Sequence, residues 1–441
     1  MKAGFVSLGC AKNLVDTEVM LGIIREHGIE LTANPADADI LIVNTCAFIL
    51  SAKEESITTI LNLADYKQNG RCRALIVAGC LGQLYRRELL DEMPEVDAVI
   101  GTGAWNRIME AIEEALSGRR VILVGERAII YSAKTPRLRT TPNYTAYVKI
   151  AEGCNNRCSF CSIPLIRGRQ ISRTIEDIRA EVEQLSAQGV KEINLIAQDT
   201  TAYGIDIYGK PKLVELLREL VKTDAKWIRI LYAYPRRFTD ELIDLIAAEP
   251  KICNYVDLPL QHASNKILKL MNRPDTRESI EALLAKIRER IPNVAIRSTF
   301  IVGFPGETEE DFLELMDFLL EQQLEKVGIF TYSREENTAA YDFPDQISEE
   351  VMQERYHISM STQSLISQER NEALEGHELE VLIENRDEEV PEVVAGRSYR
   401  DAPEVDGLVY IENDGRSKAG DLIRVKVLAG FAYDIAAERI D

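Results

Sequence analysis

The 441-residue sequence has no apolar run approaching the roughly 20 residues of a membrane-crossing helix, which argues against a helical membrane protein. The opening "MKAGFVSLGC" carries one Lys and a short apolar run, without the h-region and cleavage site of a leader. It reads as a first β-strand of a cytoplasmic protein, where thiols stay reduced. Low-complexity tracts are absent. Positive charge is in deficit: 52 Lys and Arg stand against 72 Asp and Glu, a net −20. Nucleic-acid binders neutralise phosphates with a basic face, so the balance argues against direct nucleic-acid binding. It favours a basic partner instead. The Arg groups in "RLRT", "RGRQISR" and "YPRRF" are expected as solvated surface or a local docking patch.

What the chain does contain falls into three segments, in keeping with the length. Residues 1–130 alternate apolar strands with amphipathic helices, which predicts a doubly wound parallel sheet. After a connector at 119–143, residues 140–374 hold six further β/α units ("AYVKIAEG", "KEINLIAQD", "WIRILYAYP", "YVDLPLQ", "AIRSTFIVGFPGE", "KVGIFTYSR"). Six are too few to close an eight-stranded barrel, so an open (β/α)6 partial barrel is expected, with its site at the strand C-termini. Residues 375–441 are β-rich and predict a small antiparallel β-barrel, OB-like, of about five strands. Residues 376–441 carry 8 Arg and Lys against 16 Asp and Glu.

The eight cysteines in a reducing compartment point to metal or redox chemistry. Cys10, Cys46 and Cys80 each end a strand of the first segment, about 35 residues apart. Ligands bind outside the carboxyl ends of strands in such sheets, so the three should converge. In the stretch "GCNNRCSFCSIP", Cys154, Cys158 and Cys161 follow the first strand of the second array. Structural zinc wants four ligands, usually as two pairs. Haem attachment wants CxxCH, which is missing. A disulfide would leave one thiol over. A 4Fe–4S cluster is held by thiolates, and three of them leave one iron open. Cys72 and Cys253 fit no such pattern and are expected to be inert.

The CxxxCxxC spacing, with Phe160 just before its last cysteine, resembles the radical S-adenosylmethionine (SAM) superfamily. The resemblance implies that SAM chelates the open iron and is cleaved by one electron to a 5′-deoxyadenosyl radical, which takes an unactivated hydrogen. "FIVGFPGETEEDF" is similar to the superfamily's fifth-strand motif, implying that Gly303, Gly306 and Glu307 lie near SAM. The same residues read equally as a strand-to-helix turn capped by Thr308. Gln198, in "AQDT", ends the second strand, where the superfamily makes further SAM contacts. His262, in "LPLQHAS", is expected to be structural.

The three segments together resemble the methylthiotransferase family, with a C-terminal TRAM domain, over essentially the whole chain. The resemblance implies a second, auxiliary 4Fe–4S cluster on Cys10, Cys46 and Cys80. One SAM is then methyl donor to a sulfur held there, and a second is the radical source. It also implies a low-potential electron donor and a sulfur donor. No catalytic residue beyond the cluster ligands is assigned. "GFVSLGCAKNLVDTE", "DLPLQHASNKILKLMNR" and "GRSYRDAPEVDG" are similar to the branch that modifies the β-carbon of an aspartate in small-subunit ribosomal protein S twelve, a basic protein. The alternatives are a transfer-RNA (adenosine) methylthiotransferase of the MiaB-like group and a non-catalytic iron–sulfur carrier. The carrier accounts for the cysteines but not for a SAM-type loop on a six-unit array.

Overall fold

The computed structural model describes residues 1–125, 129–386 and 392–441, apart from the side chains of 385 and 386. The first body comprises β1 (Lys2–Ser7), α1 (Ala11–Glu26), β2 (Glu30–Thr32), β3 (Ile40–Thr45), α2 (Leu50–Asn69), β4 (Ala74–Gly79), α3 (Cys80–Glu92), β5 (Ala98–Ile100), α4 (Ile108–Leu116) and β6 (Val121–Leu123). Its strands run in the order β2-β1-β3-β4-β5-β6, with every pair parallel. Strands β3 and β4 are buried residue by residue because both faces are covered. Ile40 and Ile42 pack toward α1 and α4, while Leu41 and Val43 pack toward α2 and α3. That alternation is the doubly wound arrangement the apolar runs predict.

The connector is more structured than its composition suggests. It begins with β6, which adds an edge to the sheet. Further on it is clamped to α1, with Leu138 N–H donating to Glu18 O at 2.9 Å.

The second body holds β7 (Thr145–Lys149), β8 (Ala151–Glu152), α5 (Ile163–Ile166), β9 (Ile171–Ser172), α6 (Ile175–Ala187), β10 (Glu192–Ile196), α7 (Ile205–Tyr208), α8 (Leu213–Leu220), β11 (Trp227–Ile230), α9 (Asp240–Ala248), β12 (Tyr255–Asp257), α10 (Asn265–Leu270), α11 (Arg277–Arg290), β13 (Ala295–Val302), α12 (Glu309–Gln322) and β14 (Lys326–Thr331). Strands β7, β10 and β11 form one parallel sheet and β12, β13 and β14 another. A bridge between Ile228 and Ile252 links them into an open six-stranded array. Along each strand one face is apolar and packs on the helices, as Ile193, Leu195, Ile228 and Ile230 do. The other face carries Glu192, Asn194, Arg229 and Lys149, all buried. These polar residues are covered by α1 of the first body and by the third.

Helix α13 (Glu349–Glu372) leads to that third body, formed by β15 (Glu378–Arg386), β16 (Val393–Ser398), β17 (Val409–Glu412), β18 (Leu422–Gly430) and β19 (Ile435–Arg439). These close into a barrel in the order β15-β16-β17-β19-β18. Four of the pairings are antiparallel, and β17 with β19 is parallel. The barrel docks on the first residues of the core strands. Glu192 receives Arg397 Nη2 at 2.6 Å, Tyr255 donates to Asp406 Oδ2 at 2.6 Å, and Lys326 pairs with Asp401 at 3.0 Å. No helix among the described residues is long and apolar enough to cross a membrane.

Candidate iron–sulfur and SAM site

Strands β1, β3 and β4 deliver the first three cysteines to one edge of the sheet. Cys10 caps α1, Cys46 follows β3, and Cys80 opens α3. Gly9 sits at φ 86° in the turn before Cys10. A Cβ there would stand 2.7 Å from Cys46 Cβ, so only glycine lets the two cysteine turns approach this closely. Ser56 of α2 fixes the Cys46 turn, accepting from Cys46 N–H at 3.1 Å and donating to Cys46 O at 2.9 Å. Buried Asn13 donates to Leu8 O at 3.0 Å and to Thr45 O at 2.8 Å, tying the first two turns together. Its Oδ1 lies 3.5 Å from Cys80 Sγ and accepts from Arg167.

The thiols sense one another. Burial pushes Cys80 up to about 12, Arg167 opposes it, and the neighbouring Cys46 and Cys10 push it further. Burial raises Cys46, and Cys10 adds to that. Cys10 reaches solvent yet is crowded by protein on its other sides; that crowding raises its thiol, but the charges of Lys12 and Arg167 and nearby backbone N–H groups bring it net below the ordinary value. Gly9 and Asn13 thus draw the Cys10, Cys46 and Cys80 turns toward one another.

The second triad lies in the loop after β8. Cys154 N–H donates to Gly168 O at 3.1 Å and Cys161 N–H to Cys158 O at 3.1 Å. The loop is pinned from outside: Ser159 N–H donates to Met271 O at 3.0 Å, and Ala340 N–H to Ser159 O at 2.8 Å. Burial lifts Cys154 to about 11 and Cys161 to about 12, with Cys158 adding to both. Burial likewise raises Cys158, while Arg273 lowers it. These cages suit a metal cluster chemically, since soft thiols are held beside buried cations that offset thiolate charge. Binding iron would displace their protons. Among the described residues no group of His, Cys, Asp and Glu is gathered tightly enough for a single metal ion.

A buried charge bridge joins the two loops. Arg167, four residues past Ile163, approaches Cys80 Sγ at 3.8 Å and pairs with Asp16 at 2.6 Å and Glu152 at 3.1 Å. Lys149 completes the square, 2.5 Å from Asp16 and 2.6 Å from Glu152. Burial alone would raise the Glu152 carboxyl, but Arg167 and Lys149 hold it well below its usual range. Glu152 lies two residues before Cys154. The bridge thus reaches from one triad to the base of the other.

The remaining expected SAM contacts fall into two groups. Phe160 packs edge-on against Phe304 at 6.5 Å between centroids, so it abuts the Gly303–Glu307 turn. Gln198 donates to Glu152 Oε1 at 2.8 Å and leaves its buried Oε1 without a partner. Glu307, by contrast, is committed within the protein. It accepts from Phe304 N–H at 3.0 Å and from Arg355 of α13 at 2.8 Å, closing the turn on itself. Gly303 has φ 73°, and a Cβ there would stand 2.2 Å from Met352 of α13. Gly306 has φ 82° and only Leu270 near. Thr308 caps α12 with a capping box to Asp311. His262 is fully buried, accepts from Ser264 N–H at 2.9 Å, and faces Glu307 Oε2 at 3.6 Å.

The Arg groups meet the expectation only in part, since Arg169 and Arg236 are exposed. Arg137, Arg167 and Arg173 are neither solvated nor free to dock a partner. Arg137 pairs with Glu18 and Glu181, and Arg173 with Asp177 and Glu181, all at the junction. Arg237 pairs with Asp199 at 2.8 Å beside Asn156. Cys72 donates to Ala74 O at 3.3 Å, remote from either triad, and Cys253 is buried at the start of β12.

Comparison with known proteins completes the picture. Residues 148–319 match the radical SAM superfamily, 376–440 the TRAM domain, and 2–101 the family described as "Uncharacterized protein family UPF0004". The fold resembles that of the radical SAM methyltransferase TsrM from Kitasatospora setae, with a TM-score of 0.53 at 17% identity over 75% of this chain and 74% of that one. The ribosomal protein uS12 methylthiotransferase RimO of Desulforamulus reducens is 52% identical, covering 99% of this chain and 98% of its own. That of Pelotomaculum thermopropionicum is 51% identical, covering 100% and 99%. That of Geobacter sulfurreducens is 51% identical, covering 100% and 98%. With identity at this level over nearly the whole of each chain, the chain belongs to the RimO family of ribosomal protein uS12 methylthiotransferases.

Proposed function

We propose that this protein is a cytoplasmic radical-SAM methylthiotransferase that adds a methylthio group to the β-carbon of an aspartate in ribosomal protein uS12. The observation that carries the reading is the pair of three-thiol sets, one at the carboxyl ends of β1, β3 and β4 and the other in the loop after β8, joined by the Asp16–Lys149–Glu152–Arg167 bridge. Cys154, Cys158 and Cys161 would hold the cluster that binds SAM, and Cys10, Cys46 and Cys80 the auxiliary one. When bound, these groups and SAM supply a methyl donor, a sulfur site and a radical that removes hydrogen from carbon.

The chain's own residues position and shield. Phe160 and the Gly303–Glu307 turn form an apolar wall beside the SAM loop, and the Glu307–Arg355 pair holds that turn rigid. Gln198 offers one unpartnered amide oxygen. Arg167 and Asn13 fix the spacing of the two cages by bonding across them. Pre-organised positioning of this kind is what a protein contributes when its cofactors carry the chemistry. The barrel segment, with 8 basic against 16 acidic residues, favours encounter with a basic ribosomal protein over a transfer RNA. A low-potential reductant and a sulfur donor complete the proposed set of partners.

The test has two arms. In anaerobic assays with dithionite, Cys154→Ala, Cys158→Ala or Cys161→Ala should abolish 5′-deoxyadenosine formation. The triple Cys10, Cys46, Cys80→Ala variant should still form it, transfer no sulfur, and lose about half of the iron. In a deletion strain, mass spectrometry should find the methylthio group missing from uS12 and present in bulk transfer RNA; the reverse pattern would refute the substrate.

A further inference from the structure

Cations crowd the junction between the two cages, and nearly all of them are committed to carboxylates. Lys149 and Arg167 share Asp16 and Glu152, Arg237 takes Asp199, and Lys53 takes Glu335. Arg273 donates to Pro259 O at 2.8 Å and lies against Cys158, so it belongs to the SAM loop. Lys12 differs. It sits in the first turn of α1, two residues after Cys10, and is only 7% exposed. Among the described residues no carboxylate forms an ion pair with it. Its ammonium rests instead 3.0 Å from the centroid of the Tyr232 ring.

Tyr232 is held there at a cost. Its φ of 61° is a left-handed conformation that residues other than glycine seldom adopt. Three hydrogen bonds impose it. Tyr232 N–H donates to Asp257 Oδ2 at 2.8 Å, and Tyr232 O accepts from Thr200 N–H and Thr200 Oγ1, both at 3.1 Å. Strain of this sort persists where the surroundings over-determine it, which is characteristic of functional sites. Tyr232 follows β11, at the carboxyl end where ligands bind in this architecture. A ring under an ammonium steadies the charge and leaves N–H donors free for an anion. Cys10, the neighbouring auxiliary thiol, is exposed.

A buried cation held ready on an aromatic ring, with no carboxylate of its own, beside the sulfur site of an enzyme whose substrate is an aspartate, is matched to one group. We propose that Lys12 is the substrate-carboxylate anchor: its ammonium pairs with the side-chain carboxylate of the target aspartate. The carboxyl carbon is bonded to the β-carbon, so fixing one places the other within a bond length of the anchored group and next to the Cys10 side of the junction. Lys12 is thereby a residue that sets specificity for an acidic side chain. The inference rests on the uS12 reading above.

The test is a double-mutant cycle on anaerobically reconstituted holoenzyme, using recombinant uS12 with either Asp or Asn at the modified position. The wild-type enzyme should bind the Asp form about 10- to 100-fold more tightly than the Asn form, the range carried by a hydrogen bond to a charged group. Lys12→Met should erase that preference by weakening the Asp form alone, with iron per chain unchanged, and Lys12→Arg should restore most of it. Equal weakening of both forms, an Asp preference that survives in Lys12→Met, or loss of iron would overturn the assignment while leaving the uS12 activity intact. If wild-type enzyme fails to modify the Asp form at all, the functional reading falls first, and this proposal with it.

Discussion

Glu192 offers a quantitative test of how the barrel is fastened to the core. This carboxylate is fully buried at the start of β10. Its Oε2 accepts from Arg397 at 2.6 Å and from Thr145 at 2.9 Å, while its Oε1 accepts from Arg397 at 3.0 Å and Arg229 at 3.1 Å. Arg229 and Arg397 reach on to the backbone of Tyr399 and Asp401 in the barrel. Burial would raise the Glu192 pKa, but Arg397 and then Arg229 outweigh it, and the value falls from an ordinary 4.5 to about 2. A carboxylate depressed that far on folding contributes about 3 kcal/mol of stability at neutral pH. Because its pKa is lowered, the contribution is present above pH 4.5 and drains away as pH falls from there toward 2. Glu192→Gln leaves the buried Arg229 guanidinium without its countercharge and Arg397 with Glu384 alone, which costs about 3–5 kcal/mol. Trp227, whose indole N–H donates to Glu380 of the barrel at 3.2 Å, reports the same joint by fluorescence. In urea titrations at pH 7, with Trp105→Phe in both proteins so that Trp227 alone reports, the variant should unfold at clearly lower denaturant, and its acid sensitivity between pH 4.5 and 2 should be blunted. Iron content should not change, because Glu192 lies at the end of the strand away from the cysteines. A variant with the wild-type urea midpoint and acid profile would refute the argument.

Two further substitutions test other parts of the architecture. Gly303→Ala imposes a side chain at φ 73° and drives it into Met352, so thermal stability should fall by about 1–3 kcal/mol and SAM binding by isothermal titration should weaken; adding Met352→Ala should relieve the contact but not the backbone strain. Cys72→Ser should keep the bond to Ala74 O, leaving iron content and methylthiolation unaltered and stability within about 1 kcal/mol; lost iron would make Cys72 a ligand.

The parts of the molecule set by local pattern were legible before any coordinates. Continuous apolar strands such as "ILIVNT" and "ALIVAG" announce a sheet covered on both faces, and a cysteine at each strand end announces convergence. The six β/α units and the short alternating strands of the barrel follow from the same periodicities. The charge bridge was not legible, because Asp16 lies 133 residues before Lys149. Asp16 sits in a helix, Lys149 in a strand and Arg167 at the end of a loop, and each looks like ordinary surface in isolation. The available hint was Lys149 itself, a charge inside the apolar run "AYVKIAEG", which a covered strand tolerates only with a partner. The connector misled for a related reason. Its "RLRT" arginines read as solvated surface or a docking patch, yet Arg137 is drawn inward by Glu18 and Glu181, which no local window contains. Glu307 reads as a ligand contact in the motif, but its role in closing the turn depends on Arg355, nearly 50 residues later.

The four-charge square has a consequence for how such proteins can be recombined. Asp16 belongs to α1 of the N-terminal body, whereas Lys149, Glu152 and Arg167 belong to the central array. A chimaera that grafts a foreign N-terminal half lacking an acid at position 16 would strand two cations on one carboxylate, sealed from water. The halves must therefore be inherited as a matched pair, and swaps between relatives should succeed only where the acid and its three counterparts travel together.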